Sequence, residues 1–417
     1  MSKRVVVTGM GIISPVGNNV ETYWKNLLDG VCGIEFITDF DTTPLPVKIA
    51  GTIKDFHPEE YGIDKPFARK QDLFTLYGVA AAYQAMKQAG LHSEGEEQNI
   101  DPFRLGVYVG SGIGGFTTQV RETQKILEDP SGQWVSPLFI PTMISNIAAG
   151  HIAIKHHAQG PTIDVVTACA TSTNAIGEAY RAIKHGYADA IIAGGCEHAT
   201  IPLGIAGFAN AKALSRAEDP KYASLPFNAN RGGFVMGDGA GILVLEEYEH
   251  AKARGAEIIA EVVGYGNTCD AYHYTAPRPD GTVTAKAIKD SLVEGGFKES
   301  DSLYINAHGT GTALNDKAET VAIKLALGEE LARKASISST KSMHGHMLGA
   351  AGAIELVISA LAVKNGIVPP TIGLTSPDPE CDLNYTPLVP EKKDIDFAVS
   401  ESLGFGGHNA CVAIKKI

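Results

Sequence analysis

The sequence predicts an α/β protein built from two similar halves, and three observations support this. Segments rich in β-branched residues alternate with amphipathic helical segments, which is the pattern of sheets covered by helices. The same order of segments occurs twice along the chain. The length of 417 residues exceeds the ~250–300 residues at which a single core stops growing, so two units are expected. We place their boundary near ARGAEIIAE, which gives a first half, 1–254, and a second half, 255–417.

The first strand and helix of each half correspond closely. RVVVTGMG (4–11) has its counterpart in IIAEVVGYG (258–266), and each is a strand that ends at glycines. VAAAYQAMKQAGL (79–91) matches TAKAIKDSLVEGGF (284–297), and each is an amphipathic helix closed by a glycine cap. The correspondence therefore predicts a duplicated strand–helix unit.

The later segments of each half continue this correspondence. Each half next has a strand that runs into a loop of small residues, then a strand, a loop and a long helix, then a further strand. The paired segments are 106–115 with 303–312, 162–186 with 336–366, and 189–199 with 397–410. The halves differ mainly at 117–160, a longer insertion in the first half whose apolar and aromatic residues predict a cap, a pocket wall or an oligomer interface. A longer connector packed on the core is the alternative.

Composition excludes several classes of protein. The formal net charge of −12 argues against a general nucleic-acid binder, because phosphate contacts need a basic surface. We expect no membrane span, since no apolar run approaches ~20 residues, and MSKRVVVTG lacks the apolar core of a signal peptide. The six cysteines are scattered without a CxxC pair, which is typical of free thiols in a reducing cytoplasm. We expect a cytoplasmic protein.

Chemistry-bearing residues occur in the loops that follow the strands. The carboxyl ends of the strands bring such loops to one face of a sheet, so Cys169, His308, Lys341, His344 and His346 are expected to converge. Cys169 precedes a helical segment, where the helix dipole favours an anion, and the thiolate is the reactive form of cysteine. A cysteine in a turn of small residues is nevertheless often structural. The other five cysteines are predicted to be structural.

Two simpler interpretations of these loops are disfavoured. The His344-x-His346 pair lacks carboxylate or cysteine partners at ligand spacing, so we predict no metal site there. VVVTGMGIISPVG resembles a dinucleotide-binding loop, but Pro15 falls in the region of the helix-packing glycine and no acidic residue follows at the usual distance. Neutral histidines can instead donate hydrogen bonds to a developing oxyanion. One cysteine, two histidines and a lysine on converging loops fit acyl transfer through a thioester, followed by enolate chemistry.

Five motifs, in order along the chain, carry a family resemblance. They are VTACATSTNAIGEA, RGGFVMGDGAG, INAHGTGT, SSTKSMHGHMLGAAGAIE and LGFGGHNA. Together they resemble the condensing enzymes of fatty-acid synthesis, in particular the type II β-ketoacyl-acyl carrier protein synthases, over essentially the whole chain. The resemblance implies a thiolase-like fold, in which two duplicated halves form five layers, αβαβα. It also implies a decarboxylative Claisen condensation that lengthens an acyl chain by two carbons and releases carbon dioxide.

The resemblance assigns roles to the converging residues. Cys169 is implied to take an acyl chain from the carrier protein's phosphopantetheine thioester. His308 and His346 are implied to hold the thioester carbonyl of malonyl-carrier protein while carbon dioxide leaves. Lys341 matches the family's lysine, and Glu319, grouped with the substrate-contacting positions, matches that lysine's acidic partner. Both are expected to organise the histidines rather than react.

Further positions are implied to shape the substrate site. The backbone N–H groups of Cys169 and Phe405 match the family's oxyanion hole, and Phe405 matches a gating aromatic. Thr310 and Thr312 match the pantetheine tunnel, and Ile113 matches a position that influences chain length. The resemblance implies no organic cofactor and no catalytic metal.

The resemblance also concerns a structural cation and three positions that depart from the family pattern. Some relatives hold a monovalent cation at positions matching Asn306, Glu355, Ser400 and Glu401, although they usually have asparagine at the last. The departures are Asn228 and Gly232, where acidic residues are usual, and His344, where threonine is common. Asn228 and Gly232 remove charge near the entrance loop, and His344 is expected to perturb the tautomer or pKa of its neighbour at position 346.

The implied partners are acyl- and malonyl-loaded carrier protein and a second copy of the chain. The carrier protein is acidic in this family, so docking needs a local basic patch on this acidic chain. A homodimer is expected through residues 162–200. The docking candidates are Lys65, Arg69, Lys70, Lys212 and Arg216.

Three other functions remain as alternatives. A polyketide ketosynthase or a synthase I-like enzyme has the same active residues, so only product profiles separate it from a type II synthase. A non-catalytic chain-length factor lacks the cysteine, whereas Cys169 is present here. A cysteine hydrolase gives no role to the second histidine or to the loop of Lys341.

Overall fold

Strands and helices alternate along the chain. The structure is a computed structural model and describes residues 2–417. The strands are β1 Val5–Ile13, β2 Glu35–Phe36, β3 Ile49–Ala50, β4 Leu105–Gly110, β5 Thr162–Ile163, β6 Ala190–Glu197, β7 Gly239–Glu247, β8 Ala260–Cys269, β9 Leu303–Asn306, β10 Ser336–Ser338, β11 Ile367–Val368, β12 Glu391–Lys392, β13 Phe397–Gly404 and β14 His408–Lys415.

The helices vary in length from four to seventeen residues. In chain order they are α1 Val20–Leu28, α2 Lys65–Ala68, α3 Leu73–Ala89, α4 Phe116–Glu128, α5 Phe139–Met143, α6 Ile147–Lys155, α7 Thr171–Lys184, α8 Pro202–Asn210, α9 Tyr248–Ala253, α10 Thr282–Gly295, α11 Asn315–Leu327, α12 Glu329–Lys334, α13 Lys341–His344 and α14 Ala351–Asn365.

The strand order of the main sheet shows the duplication. Ten strands follow the order β10-β9-β13-β14-β8-β1-β7-β6-β4-β5. Numbered within its own half, each set of five strands has the order 3-2-4-5-1 from the outer edge to the centre. In both sets the first three of these strands are parallel and the last two pairings are antiparallel. β1 and β8 join the two sets by a short antiparallel pairing at the centre.

Helices divide this arrangement into layers. α3 packs on β1, β6 and β7 of the first half, and α10 packs on β8, β13 and β14 of the second. α7 and α14 pack on each other and contact strands of both halves, so they form a shared central layer. The order is therefore helix, sheet, helix, sheet, helix, and the predicted α/β fold class is confirmed. The predicted boundary at residues 254–255 falls in the connection between α9 and β8.

Three hydrophobic cores fill the spaces between these layers. The largest contains residues of α7 and α14 together with strand residues from both halves, such as Val7 and Val412. A second lies between α3 and the first set of strands, and a third between α10, α11 and the second set. Each core depends on strands whose alternate side chains face opposite layers.

The central helix α14 is apolar and almost entirely buried. Leu348–Asn365 is long and apolar enough to span a membrane, but 89% of that stretch is buried inside the protein. Every residue from Ala351 to Val363 is buried. A helix that is apolar on all sides is typical of a core position as well as of a bilayer, and here it is the core of the central layer.

Two equivalent turns lead into the central helices. A single 3₁₀ turn, Ala168–Ala170, precedes α7, and a second, Leu348–Ala350, precedes α14. Each begins with a non-glycine residue in the left-handed region, Ala168 at φ 51° and Leu348 at φ 47°. Such strain is uncommon and is found often at functional sites. The duplication thus provides two copies of one strained turn.

Candidate active site

A cavity of about 280 Å³ opens where loops of the two halves meet. Cys169 comes from the first half, and His308, His346 and Phe405 come from the second. Parallel strands deliver their following loops to the same edge of a sheet, and the shared central layer brings the two edges together. Further lining residues include Phe208, Lys212, Phe234, Asp270, Thr310, Thr312, Leu403 and Asn409.

Cys169 lies at the middle of the strained turn before α7. The backbone N–H groups of Phe405 and of Cys169 itself both face its sulfur. Gly404 makes this approach close, because a Cβ there would lie 2.7 Å from the Thr167 carbonyl oxygen and 3.3 Å from the Cys169 nitrogen. Burial raises the pKa of the thiol to about 12, although Lys341 acts in the opposite direction. The resting group is therefore a neutral thiol, whereas the helix-dipole argument favoured an anion.

The two cavity histidines form a perpendicular pair. The rings of His308 and His346 have centroids 5.2 Å apart and planes at 86°. Both are buried, and Nδ1 of His308 and both ring nitrogens of His346 have no protein hydrogen-bond partner among residues 2–417. Burial, assisted by Lys341, holds the pKa of each well below 6.5. Both imidazoles are therefore neutral near pH 7, and their nitrogens are available to a substrate.

Lys341 has a different partner from the one expected. Its side chain is 1% exposed, and its ammonium is paired with Glu355 of α14, whose side chain is 0% exposed. Glu319 is not its ion-pair partner and does not line the cavity. The carboxylate of Glu319 instead accepts the backbone N–H groups of His308 and Gly309. The prediction of a Lys341–Glu319 contact was wrong, because Glu355 reaches the lysine from the central helix.

Some of the other sequence-predicted positions line the cavity, and one does not. Thr310 and Thr312 line it, and their hydroxyls lie 3.0 Å apart. Phe405 also lines it and is 36% exposed. Ile113 lies outside the cavity lining, on the turn after β4, and is 37% exposed. Its predicted influence on chain length stays a prediction.

Comparison with known proteins agrees with this arrangement. Residues 2–251 match the family Beta-ketoacyl synthase, N-terminal domain, and residues 259–375 match Beta-ketoacyl synthase, C-terminal domain. The chain belongs to the beta-ketoacyl synthase family. These two matches cover both sides of the cavity, including Cys169, His308 and His346.

Individual relatives of this beta-ketoacyl synthase chain cover its full length. It is 49% identical to the 3-oxoacyl-[acyl-carrier-protein] synthase 2 of Staphylococcus aureus strain COL, over 100% of this chain and 99% of the relative. It is 49% identical to the protein of the same name from Synechocystis sp., over 99% of this chain and 98% of the relative. A solved complex of a type II polyketide ketosynthase, its acyl-carrier protein and a hexaketide matches with a TM-score of 0.90 and 33% identity, and coverage is 100% of both chains.

The three departures from the family pattern have different surroundings. His344 is buried; its ring contacts the Gly345 carbonyl oxygen and the Thr340 hydroxyl, and burial lowers its pKa to about 3. It also contributes to the lowered pKa of His346. Asn228 is buried and donates to the Gly373 carbonyl oxygen. Gly232 has open space around it, so only the first of the three acts on the cavity histidines.

The suggested cation positions fit an oxygen-coordinated ion in part. Asn306 and Ser400 are register partners on β9 and β13, so their side chains share a face, towards the central layer. Their side-chain polar atoms and Glu355 Oε2 are buried without protein partners among residues 2–417. Oxygens of this kind suit a hard cation, which would balance buried charge there and take no part in bond making. Glu401 faces the opposite side of the sheet, where it lies beside Glu319.

The proposed docking residues are all available on the surface. Lys65, Arg69, Lys70, Lys212 and Arg216 are exposed, and none forms an ion pair with the residues at 2–417. Lys212 also lines the cavity. Unpaired cations on an exposed surface are suited to an acidic partner.

Sequence reasoning missed Phe208, Phe234 and Glu197, and it named Glu355 only as a cation position, not as the partner of Lys341. Phe208 and Phe234 flank Phe405 and His346, and no spacing signal marks them. Glu355 and Glu197 did carry a signal, because each is a single carboxylate within an apolar segment, and such groups are seldom buried unless they have partners. Glu197 could therefore have been found from the sequence, as Glu355 was, whereas the two aromatic residues could not.

Proposed function

We propose that this protein is a 3-oxoacyl-[acyl-carrier-protein] synthase of type II, an acyltransferase that lengthens fatty-acyl chains by condensation with malonyl-carrier protein. The observation that carries this proposal is the cavity in which a cysteine meets two neutral histidines and two sulfur-facing N–H groups. The proposed chemistry needs no cofactor of the enzyme's own, because the phosphopantetheine arrives on the carrier protein.

In the first step Cys169 takes the acyl chain. The thiol is neutral at rest, so it loses its proton as the sulfur attacks the thioester carbonyl. The N–H groups of Cys169 and Phe405 stabilise the oxyanion that forms. The carrier protein's thiolate then leaves and takes the proton, so acyl-Cys169 and a free carrier thiol result.

In the second step His308 and His346 hold the malonyl thioester. A neutral imidazole N–H donates to the thioester oxygen as the carboxylate leaves as carbon dioxide, which stabilises the enolate. The enolate carbon attacks the acyl-Cys169 carbonyl and forms the new carbon–carbon bond. Collapse of the tetrahedral intermediate gives the 3-oxoacyl-carrier protein and the Cys169 thiolate, which recovers a proton. Lys341 keeps both imidazoles neutral by raising the cost of a further positive charge.

The experiment uses acyl- and malonyl-carrier protein with the wild type and Cys169→Ala. We expect the wild type to form 3-oxoacyl-carrier protein. Cys169→Ala should lose condensation and retain slow malonyl decarboxylation, because the histidines remain. Condensation that survives the substitution would contradict the proposal. Products measured over several acyl lengths also separate this function from a polyketide ketosynthase, which we consider second because the identity to the fatty-acid enzymes is 49% against 33%.

We also propose docking of the carrier protein at the exposed cations and assembly as a homodimer. The edge strand β5 supports the dimer, since Ile163 and the following Val166 are 42% and 53% exposed at an unpaired sheet edge. The insertion adds exposed Trp134, Ile140 and Ile154. Sedimentation equilibrium tests the dimer, and Ile163→Lys should shift it towards monomer. A monomeric wild type would contradict it.

A further inference from the structure

Glu197 has surroundings that the proposed chemistry does not use. It ends β6, its side chain is fully buried, and its carboxylate accepts four hydrogen bonds. Oε1 accepts from the Ser111 hydroxyl at 2.7 Å and from the Ile113 N–H at 3.2 Å. Oε2 accepts from the N–H groups of Gly112 at 2.8 Å and Gly349 at 3.0 Å. One carboxylate therefore joins a loop of the first half to the strained turn of the second.

The duplication shows why this carboxylate is unusual. β6 and β13 are equivalent strands of eight residues, so Glu197 and Gly404 occupy equivalent ends. The turns before α7 and α14 are equivalent too, so Gly349 corresponds to Cys169. At the Cys169 turn the equivalent of the carboxylate is a glycine, and the N–H groups are left for a substrate oxygen. At the Gly349 turn the carboxylate of Glu197 takes the N–H instead.

The clamped loop lies directly against the nucleophile's turn. A Cβ at Gly110 would lie 2.6 Å from the Thr171 side chain, and one at Gly112 would lie 3.7 Å from the Ala168 carbonyl oxygen. The loop then leads into α4 at Phe116, which packs in the same apolar cluster as Cys169. Because Cys169 and Phe116 share this cluster, a shift of the loop changes the apolar space beside the sulfur.

We propose that Glu197 is a positioning residue that fixes the Ser111–Ile113 loop against the Cys169 turn and thereby sets acyl-chain selectivity. This inference depends on the proposed function, since it concerns the acyl chain carried by Cys169. Glu197 acts through the loop and does not touch the reacting atoms.

Glu197→Gln tests the proposal through the ratio between acyl lengths. It removes a negative charge that raises the pKa of the Cys169 thiol, which affects all acyl lengths alike, and it removes one hydrogen bond to the loop, which affects their ratio. The remaining oxygen can serve the N–H groups of Gly112 and Gly349, and the new NH₂ can donate to Ser111. The NH₂ then faces the Ile113 N–H, which loses its acceptor. We expect the ratio of kcat/KM between the preferred and the least preferred acyl length to fall about three- to tenfold, the size of one hydrogen bond. The KM for malonyl-carrier protein should change less than about twofold.

Two further variants keep the test decisive. Glu246→Gln is the matched control, because Glu246 is a fully buried carboxylate of the first half that is bound by Thr8, His250 and Arg254. Ser111→Ala loosens the same loop if Glu197→Gln fails to fold, and should lower the same ratio. An unchanged ratio in a folded variant, or a uniform loss at all lengths equal to that of Glu246→Gln, would overturn the inference. Absence of condensation in the wild type would instead refute the proposed function.

Discussion

The turn that carries Cys169 and the turn that carries Gly349 have the same backbone conformation but different surroundings. Both are single 3₁₀ turns that begin with a positive φ and lead into a central helix. Around Cys169, Gly404 leaves room and the N–H groups face the sulfur. Around Gly349, Glu197 accepts the N–H and no side chain fits. A duplicated strained turn is therefore not sufficient for reactivity, and the groups that surround it decide its role.

The halves also divide the functional groups of the site between them. The thiol comes from the first half, whereas Lys341, Glu355 and both histidines come from the second. The largest effect we expect comes from removing Lys341 from the second half's contribution to the site. Lys341→Met leaves the Glu355 carboxylate buried without its cation, which costs about 3–5 kcal/mol of unfolding free energy.

The loss in Lys341→Met should depend on pH in a defined direction. Burial already raises the pKa of Glu355 to about 7, and removing the lysine raises it further. Protonation then relieves the unpaired charge, so the loss measured by urea unfolding should be larger at pH 8 than at pH 6. The pKa of both histidines rises as well, so the acid limb of activity moves to higher pH. The double variant Lys341→Met/Glu355→Met should recover stability; equal losses in both variants would contradict this account.

The second prediction concerns a side chain introduced at Gly404, beside the Cys169 turn. A Cβ in Gly404→Ala would lie 2.7 Å from the Thr167 carbonyl oxygen, so the Phe405 N–H moves away from the sulfur. We expect kcat/KM to fall by about 10²–10³, the usual effect of losing an oxyanion donor. The rate of Cys169 alkylation by iodoacetamide should fall far less than kcat/KM does. Equal losses in both measurements would mean that the substitution acts on the thiol itself.

The third prediction applies the same change to the other turn. A Cβ in Gly349→Ala would lie 2.5 Å from the Gly112 nitrogen and 2.7 Å from Glu197 Oε2. We expect a loss of about 1–3 kcal/mol in unfolding free energy, measured in urea, because the backbone on both sides must move. Gly207→Ala in α8 is the control, since nothing lies within 4 Å of its Cβ position. An unchanged free energy of unfolding in Gly349→Ala would contradict the proposed difference between the two turns.

Much of this contrast is predictable from the sequence alone. The repeated segments predict that equivalent loops converge, and the convergence brings Cys169, His308 and His346 to one site. The partner of Lys341 could not be predicted in this way, because it depends on which side of α14 faces α13. The role of Glu197 required the register of β6 and the position of the Gly349 turn. Residues on the repeat are thus predictable, whereas contacts between layers require the packed structure.

The smallest expected effect concerns the surfaces of the two halves. The five exposed cations proposed for docking all belong to the first half, and Arg69 and Lys70 lie next to each other there. Arg69→Glu/Lys70→Glu should raise the KM for carrier-protein substrates about tenfold at low salt, and the effect should shrink as salt screens the charges. Small thioester substrates should be unaffected. Lys289→Glu/Lys298→Glu, at two exposed positions of the second half, is the control with the same change in net charge. An equal KM increase there would show that net charge, not a docking site, is responsible.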